Sequence, residues 1–122
     1  MTGSDPQKLF DFIPLLEGGA LNDAHSIYIS TGEYQPLLRE LQGTLKESGL
    51  GAKGIDWMAS IDMARPFLQS PNEILSASGE IVEILLALAI NSEEFNKSFF
   101  PHLCSSGFML NLLKRVQETY YH

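Results

Sequence analysis

The fold of this chain is decided by residues 80–90, which read Glu80-Ile81-Val82-Glu83-Ile84-Leu85-Leu86-Ala87-Leu88-Ala89-Ile90. Beyond Glu83 every side of a helix built from this stretch is apolar, which is typical of a helix covered by its neighbours. Ser76 or Ser78, just upstream, offers the hydroxyl of a helix N-cap. We therefore expect this helix to lie at the centre of the core, with Leu85 fully buried.

Helix start signals and apolar stripes recur on both sides of this central stretch. Prolines at several of these starts are favourable, because an N–H group at the first helical position would have no intrahelical partner. Pro14 interrupts the first stripe, so we expect a bend there. The sequence predicts one all-α domain over 1–122, an irregular bundle of five or six short helices. The main predicted helices begin at Asp5-Pro6, Gln35-Pro36, Asp56, Ser78 and Ser92, the last of these reaching Leu103, and a final helix covers about 108–120. Ser70-Pro71-Asn72-Glu73 is a capping box that opens a further short helix, which we expect to last only to Leu75.

One segment departs from the helical pattern. His25-Ser26-Ile27-Tyr28-Ile29 contains three consecutive β-formers, which favours a short extended segment near residues 25–30. No second strand is evident in the chain, and the last helix carries a long apolar stripe. A second copy of the chain would cover both features, so we expect a homodimer built on one or both of them.

Composition limits the class of protein. The chain has 122 residues, with 15 Asp plus Glu against 8 Lys plus Arg, and its formal net charge is −7. Such an acidic balance disfavours nucleic acid as a partner, because that affinity depends on Lys and Arg at the phosphates. The single cysteine excludes a disulfide scaffold and favours a cytoplasmic location. We expect no export signal and no membrane span, since no stretch approaches the roughly 20 apolar residues required.

Candidate catalytic and metal-binding residues are sparse. His102 and Cys104 are two positions apart, so a helix directs them about 200° away from each other. Residues 49–54, Gly-Leu-Gly-Ala-Lys-Gly, resemble a dinucleotide fingerprint but lack the strand and βαβ setting that such a motif requires. We therefore predict no catalytic residue, no metal site and no cofactor, and a protein that is not an enzyme.

Carboxylates form the most distinctive group. Five occur between Pro66 and Asn96 without a single Lys or Arg: Glu73, Glu80, Glu83, Glu93 and Glu94. Most of them fall in first helical turns, where a carboxylate stabilises the positive end of the helix. The alternative is an acidic face that attracts a basic protein partner. The terminal Tyr120 and Tyr121 are further candidate contacts, because aromatic residues concentrate at interfaces.

Three kinds of function remain open from these observations. The first is a protein–protein interaction module with an acidic face, and a narrower form is an immunity or antitoxin-like protein that masks a basic partner. The second is a small-ligand-binding or enzymatic domain with a pocket between helices, using Tyr34, Asp56 or Trp57. A concave pocket with convergent polar groups would favour the second, whereas a flat exposed face would favour the first.

The order of short motifs resembles an uncharacterised family of small bacterial, mainly helical domains. The matching segments are Phe12-Ile13-Pro14, then Tyr34-Gln35-Pro36 with a helix ending at Ser48-Gly49, then Ile55-Asp56-Trp57, Phe95 and Ser106-Gly107. The family's polar segment differs here, because Asn91 and Glu94 stand where it has arginines and Lys97-Ser98 where it has Glu-Gly. The resemblance implies one compact helical domain and carries no activity.

Overall fold

The computed structural model describes residues 6–48, 56 and 61–120. These residues form nine α-helices and one 3-10 helix and contain no strand, which confirms the all-α class. The α-helices are α1 (Pro6–Phe10), α2 (Phe12–Glu17), α3 (Ala24–Thr31), α4 (Pro36–Glu47), α5 (Ile61–Gln69), α6 (Gly79–Ile90), α7 (Ser92–Phe95), α8 (Phe99–Ser105) and α9 (Phe108–Tyr120). The 3-10 helix, Pro71–Ser76, lies between α5 and α6.

The core is built around α6 and α9. Ser78 caps α6, since its hydroxyl accepts a hydrogen bond from the Ile81 N–H at 3.3 Å, and Leu85 is completely buried as expected. The stripe of α9 is also buried, because α9 packs against α1, α2, α6, α8 and the 3-10 helix. Its fully buried members are Met109, Leu112, Leu113 and Val116. This stripe is therefore covered within the chain.

The predicted number of five or six helices is wrong, and one reason is a break in the helix expected from Ser92 through Leu103. Two helices, α7 and α8, occupy this segment. The side chain of Asn96 stops the first of them, since its Oδ1 accepts hydrogen bonds from the Ser98 N–H at 2.8 Å and the Ser98 hydroxyl at 2.7 Å. Local side-chain bonding of this kind competes with helix continuation.

A second break lies at Asp11, between α1 and α2. The bend expected at Pro14 occurs three residues earlier, which places Pro14 in the first turn of α2. A proline there removes no intrahelical hydrogen bond, whereas in mid-helix it would leave a carbonyl without a donor. The expected start at Asp56 borders residues 57–60, which lie outside the described residues, as does the loop 49–54.

The extended segment expected near residues 25–30 is also wrong, because this segment forms α3. The helix packs against α8, and its N-terminal turn is bonded to the Ser105 hydroxyl, which accepts from the His25 N–H at 2.9 Å and donates to the Leu21 carbonyl at 3.3 Å. Gly32 ends the helix in the left-handed region with φ 74°. Tertiary contacts therefore override the β-propensity of Ile27, Tyr28 and Ile29. A homodimer remains a prediction, but the described residues do not supply its two reasons, because the expected strand is a helix and the α9 stripe through Val116 is covered within the chain.

The 3-10 helix forms in place of a capped α-helical start. The side chain of Ser70 makes no cap hydrogen bond, so the expected capping box does not form. Two side chains of α9 instead donate hydrogen bonds to this segment. Asn111 Nδ2 donates to the Pro71 carbonyl at 2.9 Å, and Arg115 Nε donates to the Ala77 carbonyl at 2.8 Å. These long-range bonds fix the segment against the core.

Candidate functional site

A cleft of about 280 Å³ opens between the C-terminal end of α3, the α3–α4 connection, α4 and α7, and we call it the Tyr34 cleft. Its lining consists mainly of polar and aromatic side chains. The lining residues are Tyr28, Gly32, Glu33, Tyr34, Arg39, Gln42, Glu93 and Lys97. The cleft therefore brings together Tyr34, from the predicted pocket, and Glu93, from the predicted acidic face.

The connection between α3 and α4 is fixed by local hydrogen bonds. The Thr31 hydroxyl donates to the Ile27 carbonyl at 2.8 Å and accepts from the Glu33 N–H at 3.1 Å. The Gly32 N–H donates to the Tyr28 carbonyl at 2.7 Å. Gly32 is in the left-handed conformation, which is common for a glycine at the C-terminal end of a helix. These bonds hold Glu33 at one edge of the Tyr34 cleft.

The opposite wall is a polar face of α4. Arg39, Gln42 and Lys46 follow one another at i, i+3 and i+7, so they lie on one side of the helix, and the first two line the cleft. None of the three was among the predicted site residues. The spacing itself was the signal that could have found them.

Tyr34 joins the α3–α4 connection to the segment between α7 and α8. Its O–H donates to the Lys97 carbonyl at 2.6 Å, and its ring lies 5.5 Å from that of Tyr28 and 6.3 Å from that of Phe100, measured between centroids. Burial, and then the nearby charge of Glu93, raise the pKa of the Tyr34 phenol above its ordinary value. The phenol is therefore a neutral donor near pH 7 and its proton is engaged by the backbone.

The basic side chains of the described residues divide into two groups. Four of the seven form ion pairs with carboxylates: Lys46 with Glu93 at 3.3 Å, Arg65 with Asp62 at 2.9 Å, Lys114 with Glu17 at 2.6 Å and Arg115 with Glu118 at 2.8 Å. Lys8, Arg39 and Lys97 have no carboxylate partner among the described residues. Two of these three, Arg39 and Lys97, line the Tyr34 cleft.

The guanidinium of Arg39 is anchored on the same connection. Its Nε donates to the Tyr34 carbonyl at 3.3 Å, while its two Nη groups have no hydrogen-bond partner among the described residues. The Glu93 carboxylate, in contrast, is already paired with Lys46. An acidic protein thus presents two cations without a carboxylate partner to one cleft. Lys97 could have been noticed in the sequence as the single Lys or Arg between Pro66 and Leu113.

The five predicted acidic residues are distributed over the 3-10 helix, α6 and α7. Glu80 lies in the first turn of α6 and Glu93 lies beyond its last residue, so about 15 Å of helix lies between Glu80 and the C-terminal end of α6. Glu73, Glu80 and Glu94 are exposed, whereas Glu83 and Glu93 are partly buried.

The remaining predicted site residues lie apart from the Tyr34 cleft or outside the described part of the chain. Asp56 is exposed and does not line the cleft. Trp57, Tyr121 and the side chain of Tyr120 lie outside the described residues. Of the three predicted pocket residues, Tyr34 alone is placed in the cleft by the described part of the structure.

Within the described part of the chain, no hydrogen bond joins Cys104 to His25 or His102. Cys104 is buried, and this burial raises the pKa of its thiol. The ring of His102 contacts that of His25, with 5.5 Å between centroids. His25 lies in α3 and not in the expected extended segment. In the described part of the chain, no group of three or more His, Cys, Asp or Glu side chains could hold a metal ion. No helix there has the length and apolar character to span a membrane.

A second cleft, of about 290 Å³, lies between the α1–α2 corner and α4. Phe12, Leu15 and Leu37 contribute an apolar lining, and Lys8, Asp11 and Glu40 lie at its edge. Its polar groups are fewer than those of the Tyr34 cleft, and its one cation lies beside two carboxylates. The Tyr34 cleft is therefore the better candidate for specific recognition.

The described residues form an all-α fold with a polar cleft and a buried thiol. The chain belongs to DUF6508, a family of unknown function, whose model matches residues 1–122. No curated protein and no solved structure matches the chain. This membership confirms the resemblance to an uncharacterised family and assigns no activity.

Proposed function

We propose that this protein is a non-enzymatic binding protein that takes a small anionic ligand in the Tyr34 cleft. The observation that carries the proposal is the convergence of Arg39 and Lys97, two cations without a carboxylate partner among the described residues. A guanidinium matches the planar shape of a carboxylate and binds it through two parallel hydrogen bonds. The volume of about 280 Å³ lies just below the usual range for ligand pockets, which favours a small ligand.

The groups around the cleft suit binding better than catalysis. The Tyr34 proton is donated to a backbone carbonyl, and the raised pKa of the phenol opposes its use as a base near pH 7. The buried Cys104 thiol, whose pKa is also raised, is poorly suited to act as a nucleophile.

Contact with a basic protein partner is the second candidate function. Its support is the exposure of Glu73, Glu80 and Glu94. The separation of these residues along α6 requires a partner that reaches both ends of the helix, and an immunity-like protein masking a basic toxin is a narrower form of this proposal. Affinity capture from native cells, followed by mass spectrometry, tests it: a stoichiometric basic partner that is lost with Glu80→Lys would support it, and its absence would contradict it.

The ligand proposal is tested by nuclear magnetic resonance with acetate, propionate and butyrate as probes. We expect saturable shifts of the backbone amides of Gly32, Glu33 and Lys97, beyond those caused by sodium chloride at equal ionic strength. Arg39→Gln should weaken binding by about 10-fold or more, because charge-assisted hydrogen bonds contribute roughly 1.5–3 kcal/mol. Inorganic phosphate, titrated in parallel, shows whether the cleft prefers that anion.

The matched control is Arg65→Gln, since Arg65 is an exposed arginine paired with Asp62 and does not line the cleft. It should leave the affinity unchanged. Shifts that do not saturate, or an Arg39→Gln variant that binds as well as Arg65→Gln, would contradict the proposal.

A further inference from the structure

We propose that the ligand of the Tyr34 cleft is a zwitterion of the amino acid class, with its carboxylate on Arg39 and its ammonium group on Glu33. This inference rests on the proposed function and adds the second charged group of the ligand. It follows from a carboxylate that shares the cleft with the two cations and pairs with neither of them.

The Glu33 side chain is exposed at the edge of the cleft and has no ion-pair partner among the described residues. Its backbone is held by the Thr31 hydroxyl, and Arg39 is held by the Tyr34 carbonyl on the same connection. Both charges are therefore anchored to one short piece of chain, yet they do not form an ion pair with each other. A ligand that carries both signs of charge can satisfy the two groups at once.

Glu93 cannot take the place of Glu33 in this argument. Its carboxylate is paired with Lys46 at 3.3 Å and lies beside the Tyr34 hydroxyl, so an ammonium group would have to displace an existing cation. The charges left for a ligand among the lining residues are thus the two cations, Arg39 and Lys97, and the carboxylate of Glu33. A simple carboxylic acid would leave Glu33 without a partner and would meet its repulsion.

The aromatic side chains add a further reason. The rings of Tyr28 and Tyr34 lie edge to face beside these charges, with 5.5 Å between centroids. The face of a tyrosine ring attracts an ammonium group, because the ring carries negative charge density above its plane. Both rings and Glu33 therefore favour a cationic group within the same cleft that holds Arg39.

The test compares amino acids with the carboxylic acids that lack their amine. Glycine, β-alanine and γ-aminobutyrate are titrated against acetate, propionate and butyrate of equal carbon number, and binding is measured from the amide shifts of the cleft. We expect at least one amino acid to bind about 10-fold or more tightly than its matched acid. The chain length that binds best reports the spacing of the two charges.

Two variants assign the charges. Glu33→Gln should remove the preference and bring the amino acid to the affinity of its acid, whereas Arg39→Gln should weaken both compounds. Glu73→Gln, an exposed carboxylate on the 3-10 helix, is the control and should leave the preference intact.

The outcomes separate this inference from the proposed function. If the acids bind through Arg39 but no amino acid exceeds its acid, or if Glu33→Gln leaves the preference unchanged, the zwitterion is wrong and the anion-binding function stands. If neither class of compound binds and Arg39→Gln has no effect, both proposals are wrong. Glu33 and Arg39 are both exposed, so we expect their substitution to leave the fold intact. Unchanged melting temperatures of the variants would show this.

Discussion

Replacing Ser105 by alanine tests how the chain makes a helix from a segment with β-propensity. The Ser105 hydroxyl accepts from the His25 N–H at 2.9 Å and donates to the Leu21 carbonyl at 3.3 Å, so one oxygen joins α8 to the start of α3. Asp23, which precedes α3, makes no side-chain cap bond of its own. Ser105→Ala removes both hydrogen bonds while leaving the rest of the side chain in place.

The expected cost follows from these two bonds. Each contributes about 0.5–1.5 kcal/mol, and the cost of leaving partly buried partners unsatisfied places the total at roughly 1.5–3 kcal/mol. At about 2.1 cal/mol/K per residue, a chain of 122 residues loses about 4 °C in melting temperature per kcal/mol, which gives a decrease of roughly 6–12 °C.

Calorimetry measures the decrease, and hydrogen exchange locates it. The His25 amide should lose protection more than the amides of α6, because its acceptor is gone. Ser76→Ala is the matched control: the Ser76 hydroxyl is exposed and makes one long bond of 3.4 Å, so its loss should stay within about 0.5 kcal/mol. Equal effects of the two substitutions, with the His25 amide still protected, would refute the reasoning.

The remaining predictions concern the core. Leu85→Ala should lower the free energy of unfolding, measured in denaturant, by about 2–5 kcal/mol, because Leu85 is completely buried. Leu75→Ala is the control and should lower it much less, because the Leu75 side chain is 43% exposed. Similar losses for the two variants would contradict the central position of Leu85. The native Cys104 thiol should react slowly with a thiol reagent at pH 7 and rapidly in denaturant, because burial raises its pKa; fast labelling of the native protein would refute this. Arg115→Met should lower the free energy of unfolding by about 1–3 kcal/mol, since the Ala77 carbonyl loses its donor, and unchanged stability in urea would show that this bond is dispensable.

The sequence was sufficient for those elements whose signals are local. Residues 36–47 and 108–120 carry clear apolar stripes, and the structure places α4 and α9 there. Ser78 is the cap of α6 because its hydroxyl lies three residues before the amide it bonds, a distance that the sequence shows directly. Such elements are fixed by contacts within one or two helical turns.

The elements that were misjudged depend on partners far away in the chain. The partner of His25 in α3 is Ser105, 80 residues later, and the partner of Pro71 in the 3-10 helix is Asn111, 40 residues later. Neither pairing has a sequence signal, because it exists only once α8 and α9 are packed. The break at Asn96 is different, since its asparagine–serine turn is local and could have been recognised.

The same distinction explains what could be predicted of the Tyr34 cleft. Tyr34 was one of the predicted pocket residues, but its partner, the Lys97 carbonyl, is 63 residues away and was not predicted. Glu93 was assigned to an acidic face because the sequence does not show that Lys46 lies against it. Opposite charges from α4 and α7 meet in the fold, which converts part of a supposed acidic face into one wall of a mixed-charge cleft.

The segment whose local preference disagrees most with the fold also forms part of the cleft. Residues 27–29 favour a strand, yet they lie in α3, which contributes Tyr28 and leads into Glu33. Natural sequences agree with their folds at most positions, and the exceptions are expected at functional or strained sites. Helical α3 places Tyr28 in the lining of the same cleft as residues of α4 and α7, and Ser105 and Gly32 hold its two ends. A conflict retained at this position, with specific bonds to compensate it, agrees with the binding site proposed for the Tyr34 cleft.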